Sequence, residues 1–359
     1  MSAPTIVVFG AGAFAARIVF DIAATATQAV RVVIAGRNQD RLAWLGTASA
    51  ARAAIFARPV VFTTYACDVL AGGAADALGA FRPAVVVQAA SVQSSSVIAA
   101  SWSAWSRLVA EGGLSATAVF QAVLSTRVAA AMTSLGLDAP LINCSFPDVV
   151  NPMIKALGHR VACGIGNVAI LSNVFAAESR VLEPGRLKVL AHYQTIAPWR
   201  RPAEARSGAT PRVFIDGVEV ADVFGAFRAV RLTPEPAIEI SGASGVPLIL
   251  ALAAGETWRG HVPGPDGLPG GYPVSASGGV IDLDLPRSVS RDESIAWNAR
   301  FEEENGLVVD ADGLVRYTGV LRDRLREHAP SLAEGFAMQD LDDVHATMDA
   351  LRARLQSRA

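Results

Sequence analysis

The sequence predicts an α/β protein: a doubly wound parallel sheet followed by a smaller α+β unit. Three observations carry this. A β-branched run meets a glycine-rich turn and then helical periodicity in "TIVVFGAGAFAARIVFDIA"; apolar strand-like and helix-like segments alternate to about residue 180; and from Arg186 the texture changes to longer β patterns and proline-rich turns. Alternating strands and helices build a parallel sheet covered on both faces.

The first element is the strand holding Ile6, Val7 and Val8, and the turn after it carries Gly10, Gly12 and Ala15. In a Rossmann dinucleotide-binding unit the first glycine permits the turn, the second lets backbone approach a pyrophosphate, and the third small residue lets helix pack on strand. Ala15 takes that last place, and Ala13 and Phe14 open a helix whose free N–H groups suit a phosphate. A tight turn that binds nothing is the plain alternative.

The second strand, "AVRVVIAG", ends in Gly36, Arg37 and Asn38. An acid there would accept the ribose hydroxyls of NAD and repel the extra phosphate of NADP. Arg37 reverses the preference, and Arg41, one helical turn on, lies on the same side, so NADP is the expected cofactor. The alternative is an arginine solvating a surface turn. A helix ("NQDRLAWLGTASAARAAI"), a strand ending near Asp68, and a strand "PAVVVQAAS" follow; the last puts Ala89, Ala90 and Ser91 at the carboxyl edge of the sheet, where such sheets bind ligands. The polar stretch "SVQSSS" adjoins it. A long helix, the strand "APLINCSF" with Ser145, the helix "PDVVNPMIKALG", the strand "HRVACGIG" and the helix "NVAILSNVFAAESRV" complete the six-stranded unit.

We therefore expect a dinucleotide-binding domain over 1–180 and a substrate or oligomerisation domain over 181–330, with an Asp216-Gly217 hairpin between "RVF" and "VEVA". Over 331–359 we expect a helix laid on the body through Leu341, Val344, Met348, Leu351 and Leu355.

With 359 residues, 52% hydrophobic and 18% charged, the chain has apolar material for a large core. A net charge of −2 without a Lys/Arg block argues against nucleic acid or an anionic membrane as partner; a small-molecule substrate fits better, and a homodimer is expected. Cys67, Cys144 and Cys163 read as reduced thiols, and no metal-ligand spacing involves them. The first strand begins within five residues and the longest apolar run, "VPLILALAA", is far short of the ~20 residues that span a bilayer, so a cytoplasmic location is expected.

The order "SFPDVVNP", helix, "RVACGIGN", helix, "VLAHYQTIAPW" over residues 140 to 200 resembles the lactate and malate dehydrogenase family. On that register Pro147 and Asp148 match a Pro and an Asp after the fifth strand, Gly164 and Gly166 match the Gly-x-Gly segment, and His192 matches the catalytic histidine. The resemblance implies an acid orienting that histidine and an arginine binding a substrate carboxylate, but those places fall near Ile170 and Asn173. A 2-hydroxy-acid substrate is accordingly not carried over. The first sixty residues are similar to NADP-binding domains of saccharopine-dehydrogenase-like oxidoreductases. The chain lacks a Tyr-x-x-x-Lys pair, a Gly-x-Ser-x-Gly elbow and a Walker-type loop.

The expected activity is hydride transfer by NADP to or from a C=O or C=N carbon of a small polar metabolite. A saccharopine-type imine reductase or amino-acid dehydrogenase, and a catalytically silent NADP-binding module, are the alternatives. Strand alternation places Lys188, Leu190, His192 and Gln194 on one face, making His192 the candidate acid/base and Lys188 a second. Asp148 and Asn151, with Arg200 and Arg201 from "APWRRPAEAR", are candidates for holding substrate.

Overall fold

The computed structural model describes residues 3–93, 103–233 and 237–357. Six parallel strands, β1 (Thr5–Phe9), β2 (Val30–Gly36), β3 (Val60–Ala66), β4 (Val85–Gln88), β5 (Leu141–Asn143) and β6 (Cys163–Gly164), lie in the order β3-β2-β1-β4-β5-β6. That order reverses direction between β1 and β4, which opens a crevice beyond their carboxyl ends. Of "SVQSSS", residues 94–96 lie outside the described residues.

Both faces of β1 are buried, so its alternation divides two cores instead of core from solvent. Val7 and Phe9 enter one apolar cluster, Ile6 and Val8 the other. The first cluster is closed by the helices Trp105 to Met132 contribute to and by residues 307–355; the second takes Leu190, Phe214, Val246 to Leu252, Tyr272 and Val274. Segments from the later half, across the expected boundary near 180, pack into both clusters.

Downstream, three small antiparallel sheets form: β7 (Leu187–Leu190), β8 (Arg212–Ile215) and β9 (Val218–Glu219); β10 (Trp258–Pro263), β11 (Gly271–Ser277) and β12 (Val280–Leu283); β13 (Leu307–Val309), β14 (Leu314–Tyr317) and β15 (Phe336–Ala337). Asp216 and Gly217 turn β8 into β9 with φ of 51° and 83°, the positive pair a two-residue hairpin requires. The helix Leu341–Gln356 buries Leu341, Val344, Met348, Leu351 and Leu355 against the first cluster. One helical stretch, Leu114–Ser134, is long and apolar enough to cross a membrane by length and composition, and 72% of its apolar window is buried inside the molecule.

Candidate functional site

The Gly-rich turn runs from β1 into the helix Ala13–Thr25. Gly10 has φ +124°, donates its N–H to Ala35 O at 2.8 Å, and lies so near β4 that a Cβ would sit 2.9 Å from the Ala89 carbonyl carbon. Only glycine fits that conformation and that approach. Gly12 differs: its φ of −76° suits any residue, and a Cβ there would meet no atom within 4 Å. Packing does not require the glycine, so its missing side chain leaves space on the solvent side. The helix behind it has no side-chain cap and no acid in its first turn, so its leading N–H groups and dipole face that space. Ala13 is exposed, Phe14 half-buried, and Ala15 fully buried against the sheet, as a helix-to-strand contact needs.

Arg41 comes back onto this turn. Its Nε donates to Ala11 O at 3.0 Å and its guanidinium lies 5.0 Å from the Trp44 ring centroid. Arg37 is exposed at the end of β2, and Asn38 caps the helix Gln39–Ile55 by accepting the Arg41 N–H, which occupies its carbonyl oxygen. Asp68 accepts the Leu70 N–H at 2.9 Å beyond β3.

The neighbouring loops are fixed by a buried amide chain. Gln88 donates to Ala90 O and accepts its N–H; Ser125 donates to Asn143 Oδ1. Asn143 donates to Ser145 O and, at 2.8 Å, to Asn151 Oδ1. Ser145 Oγ donates to Ala90 O, tying the loop after β5 to the loop after β4, and Ser91 donates to Gln121. Asn151 spends its amide on Gly264 O at 2.9 Å and is fully buried. With both polar ends committed, Asn151 braces the scaffold and does not reach substrate, which corrects its expected role.

His192 leaves the face on which alternation had put it. Strand β7 stops at Leu190, Ala191 bridges Gly271, and His192 precedes a 3₁₀ helix, Tyr193–Arg200. Lys188 is thereby separated from it: its Nζ pairs with Asp284 at 2.7 Å and Leu285 O at 3.2 Å, a structural tie in place of the expected catalytic one. Arg200 and Arg201 are exposed, the latter bonded to Ser207 Oγ at 3.3 Å, and neither bonds a residue around His192.

Around His192 the structure gathers groups the sequence did not link. The imidazole is fully buried, stacked parallel on Phe301 at 4.9 Å, with Nδ1 accepting the Gln194 N–H at 3.4 Å. Nε2 lies 3.3 Å from Glu302 Oε1 without the alignment of a hydrogen bond, and has no other partner among the described residues. Ile170 is buried among apolar side chains, and Glu302 comes from the last turn of the helix Arg291–Glu304. Its other oxygen accepts Ser115 Oγ at 2.7 Å and Leu307 N–H at 2.6 Å. Asp148, also buried, accepts from Asn167 and, at 3.2 Å, from Tyr193 N–H. Burial raises its carboxyl pKa, an effect the nearby His192 opposes. The Tyr193 hydroxyl, 3.1 Å from Ser115 Oγ, is pushed well up by burial and by Glu302. Phe146, two residues before Asp148, and Asn167, which bonds it, are non-glycine residues with φ of 49° and 46°. A Cβ on Gly306 would collide with the Glu302 carboxylate.

A separate cleft of about 320 Å³ lies under the amino ends of β5 and β6, lined by Asp138, Arg160, Asp266, Asp282 and Arg291 among others. It is on the opposite edge of the sheet and includes no expected site residue.

No family model matches the chain, and no curated protein matches it in sequence. Solved structures do match in fold. Malate dehydrogenase of Cryptosporidium parvum is similar at 15% identity and TM-score 0.55, covering 84% of this chain and 96% of that one. A lactate dehydrogenase from a Medee basin deep-sea metagenome library aligns at 13% identity and TM-score 0.53 over 91% and 99%. Lactate dehydrogenase of Eimeria maxima, solved with NADH and oxamate, aligns at 12% identity and TM-score 0.50 over 97% and 98%. The six-stranded sheet with flanking helices is thus the fold of these dehydrogenases, extended over most of the chain.

Proposed function

We propose that this chain is an NADP(H)-dependent oxidoreductase acting on a C=O or C=N carbon of a small polar metabolite. The observation that carries the reading is the turn at Gly12, where an uncapped helix N-terminus faces a space no side chain fills. The residues present fit a dinucleotide: Gly10 to Ala13 would receive the pyrophosphate, Arg37 and Arg41 the 2′-phosphate, and Ala89 to Ser91 with Ser145 the nicotinamide end. The bound nicotinamide would supply or accept the hydride. The protein's part is to hold a proton at His192, with Glu302 beside its Nε2, and to keep water from the loops braced by Gln88 and Asn143.

Calorimetric titration tests the cofactor assignment: NADPH binds at least tenfold more tightly than NADH, and equal affinities refute it. NADPH oxidation over a panel of 2-oxo acids, other carbonyl compounds and imines of amino acids separates carbonyl from imine chemistry. The complete burial of His192 favours one second reading, a cofactor-binding module without turnover. Tight NADPH binding with no oxidation across the panel is its signature.

A further inference from the structure

We propose that the cleft under the amino ends of β5 and β6 is a second ligand site, separate from the dinucleotide crevice, and that it takes a free α-amino acid with an aliphatic side chain. Its volume of about 320 Å³ falls within the roughly 300–1,000 Å³ of small-molecule sites. One wall is β12, since Gly279 to Leu283 all line the cleft. In the order β10-β11-β12 the outer side of β12 is a free edge. The register sets Leu283 opposite Val274 and Ile281 opposite Ala276, and Asp284 donates to Pro273 O at 2.9 Å in the same register. Bonded and non-bonded pairs alternate along an antiparallel ladder, so Asp282 turns its N–H and C=O toward β11 while Ile281 and Leu283 turn theirs outward. Those outward groups have no hydrogen-bond partner among the described residues. Two donors and two acceptors at this spacing match the carboxylate and ammonium of an amino acid, and equally the main chain of an added peptide strand.

Charge decides between the two. Of the ionised groups around the cleft, Asp138 is spent on Arg160 at 2.9 Å and Asp266 on Lys155 at 2.7 Å. Asp282 and Arg291 also line the cleft, and neither side chain has an ion pair or a hydrogen bond among the described residues. One uncommitted cation and one uncommitted anion that do not bridge each other suit a zwitterion: its carboxylate meets Arg291 and its ammonium meets Asp282. A segment from the middle of a peptide carries neither charge. The apolar part of the lining, with Leu268 and Val280, suits an aliphatic side chain. Both charged side chains are exposed, so each contact contributes little more than a surface ion pair and the affinity is expected in the millimolar range. None of Gly10 to Ala13, Arg37 or Arg41 lines the cleft, so a ligand there leaves the nucleotide crevice open.

The test is titration of the ¹⁵N-labelled protein with L-leucine, read from the backbone amide of Ile281, whose signal is assigned by its loss in Ile281→Val. A saturable shift of that amide is expected. Two analogues that keep one charge each, 4-methylpentanoate and 3-methylbutylamine, should bind at least about fivefold more weakly than leucine, as should leucine itself to Arg291→Ala and to Asp282→Asn. Both substitutions are at exposed side chains, and melting curves confirm that the variants fold. Saturating NADPH should leave the leucine titration unchanged. No saturable shift at tens of millimolar leucine overturns the proposal, and so does unchanged leucine affinity in either variant. N-acetyl-L-leucinamide, a peptide-like probe without charge, overturns it by binding as well as leucine, because the edge then takes a peptide strand. Displacement of leucine by NADPH overturns it too, by moving the leucine to the crevice.

Discussion

Gly12→Val separates a glycine kept for a ligand from one kept for the fold. In the protein alone the valine costs little: φ of −76° is ordinary and no atom stands within 4 Å of the new Cβ. The loss is confined to a helix N-cap position, about 1 kcal/mol, which lowers Tm by about 3 °C or less in a chain of this size. For a phosphate the same side chain is an obstruction. Two charge-assisted backbone hydrogen bonds, at about 1.5–3 kcal/mol each, disappear together, so NADPH affinity should fall by about 10²-fold or more. Calorimetry measures the affinity and a melting curve the stability. Gly10→Ala gives the opposite pattern: with φ +124° and the Ala89 backbone 2.9 Å from its Cβ, it should destabilise by more than about 2 kcal/mol whether or not cofactor is present. Normal NADPH binding by Gly12→Val would refute the placement of the pyrophosphate. Its failure to fold would refute the claim that packing leaves the position free.

Arg37→Ala and Arg41→Ala should each weaken NADPH about tenfold or more while changing NADH by less than about twofold, because each removes one charge-assisted contact; parallel losses for both cofactors would sink the 2′-phosphate assignment. Asn151→Ala takes one of two acceptors from Asn143 Nδ2, which keeps Ser145 O, and one of two donors from Gly264 O, which keeps the Gly267 N–H, so urea unfolding should show a loss of about 1–3 kcal/mol, and a change within about 0.5 kcal/mol, roughly the noise of a surface substitution, would mean the amide chain is slack. His261 accepts the Val189 N–H, and burial first of all lowers its pKa to about 3. Its folded value lies below the unfolded value of about 6.5, so the unfolded chain binds the extra proton and this contribution, whole above pH 6.5, is lost as pH falls toward 3. Stability of the wild type should drop about 1.4 kcal/mol more per pH unit across that window than that of His261→Gln, as denaturation at stepped pH will show.

The parts of this molecule that were legible in its sequence are those whose signal is local. The β1 turn, the Asp216-Gly217 hairpin and the apolar stripe from Leu341 to Leu355 each need only a dozen residues to declare themselves, and each stands where its periodicity put it. His192 is singled out by its neighbours in sequence, but a strand pattern continued past Leu190 misreads its surroundings, which are a 3₁₀ turn anchored by the Ala191–Gly271 bridge. Lys188 fell with the same error. Glu302 could not be read at all: it meets His192 across 110 positions of chain, and one Glu near the end of a charged helix looks like any solvated acid until the fold buries it.

The first apolar cluster joins Val7 to Ala129 with Leu307 to Leu355. A ribosome adding roughly 5–20 residues per second needs on the order of 10–40 s to pass from Ala129 to Leu341. For that interval the helices Ala104–Gly112 and Ala118–Ser134, on which the C-terminal helix packs, wait without that cover. The growing chain thus exposes apolar helix surface during its own synthesis, and a holding chaperone that binds the chain between those two moments, then lets go once Met348 and Leu351 emerge, would match the order in which the core is assembled.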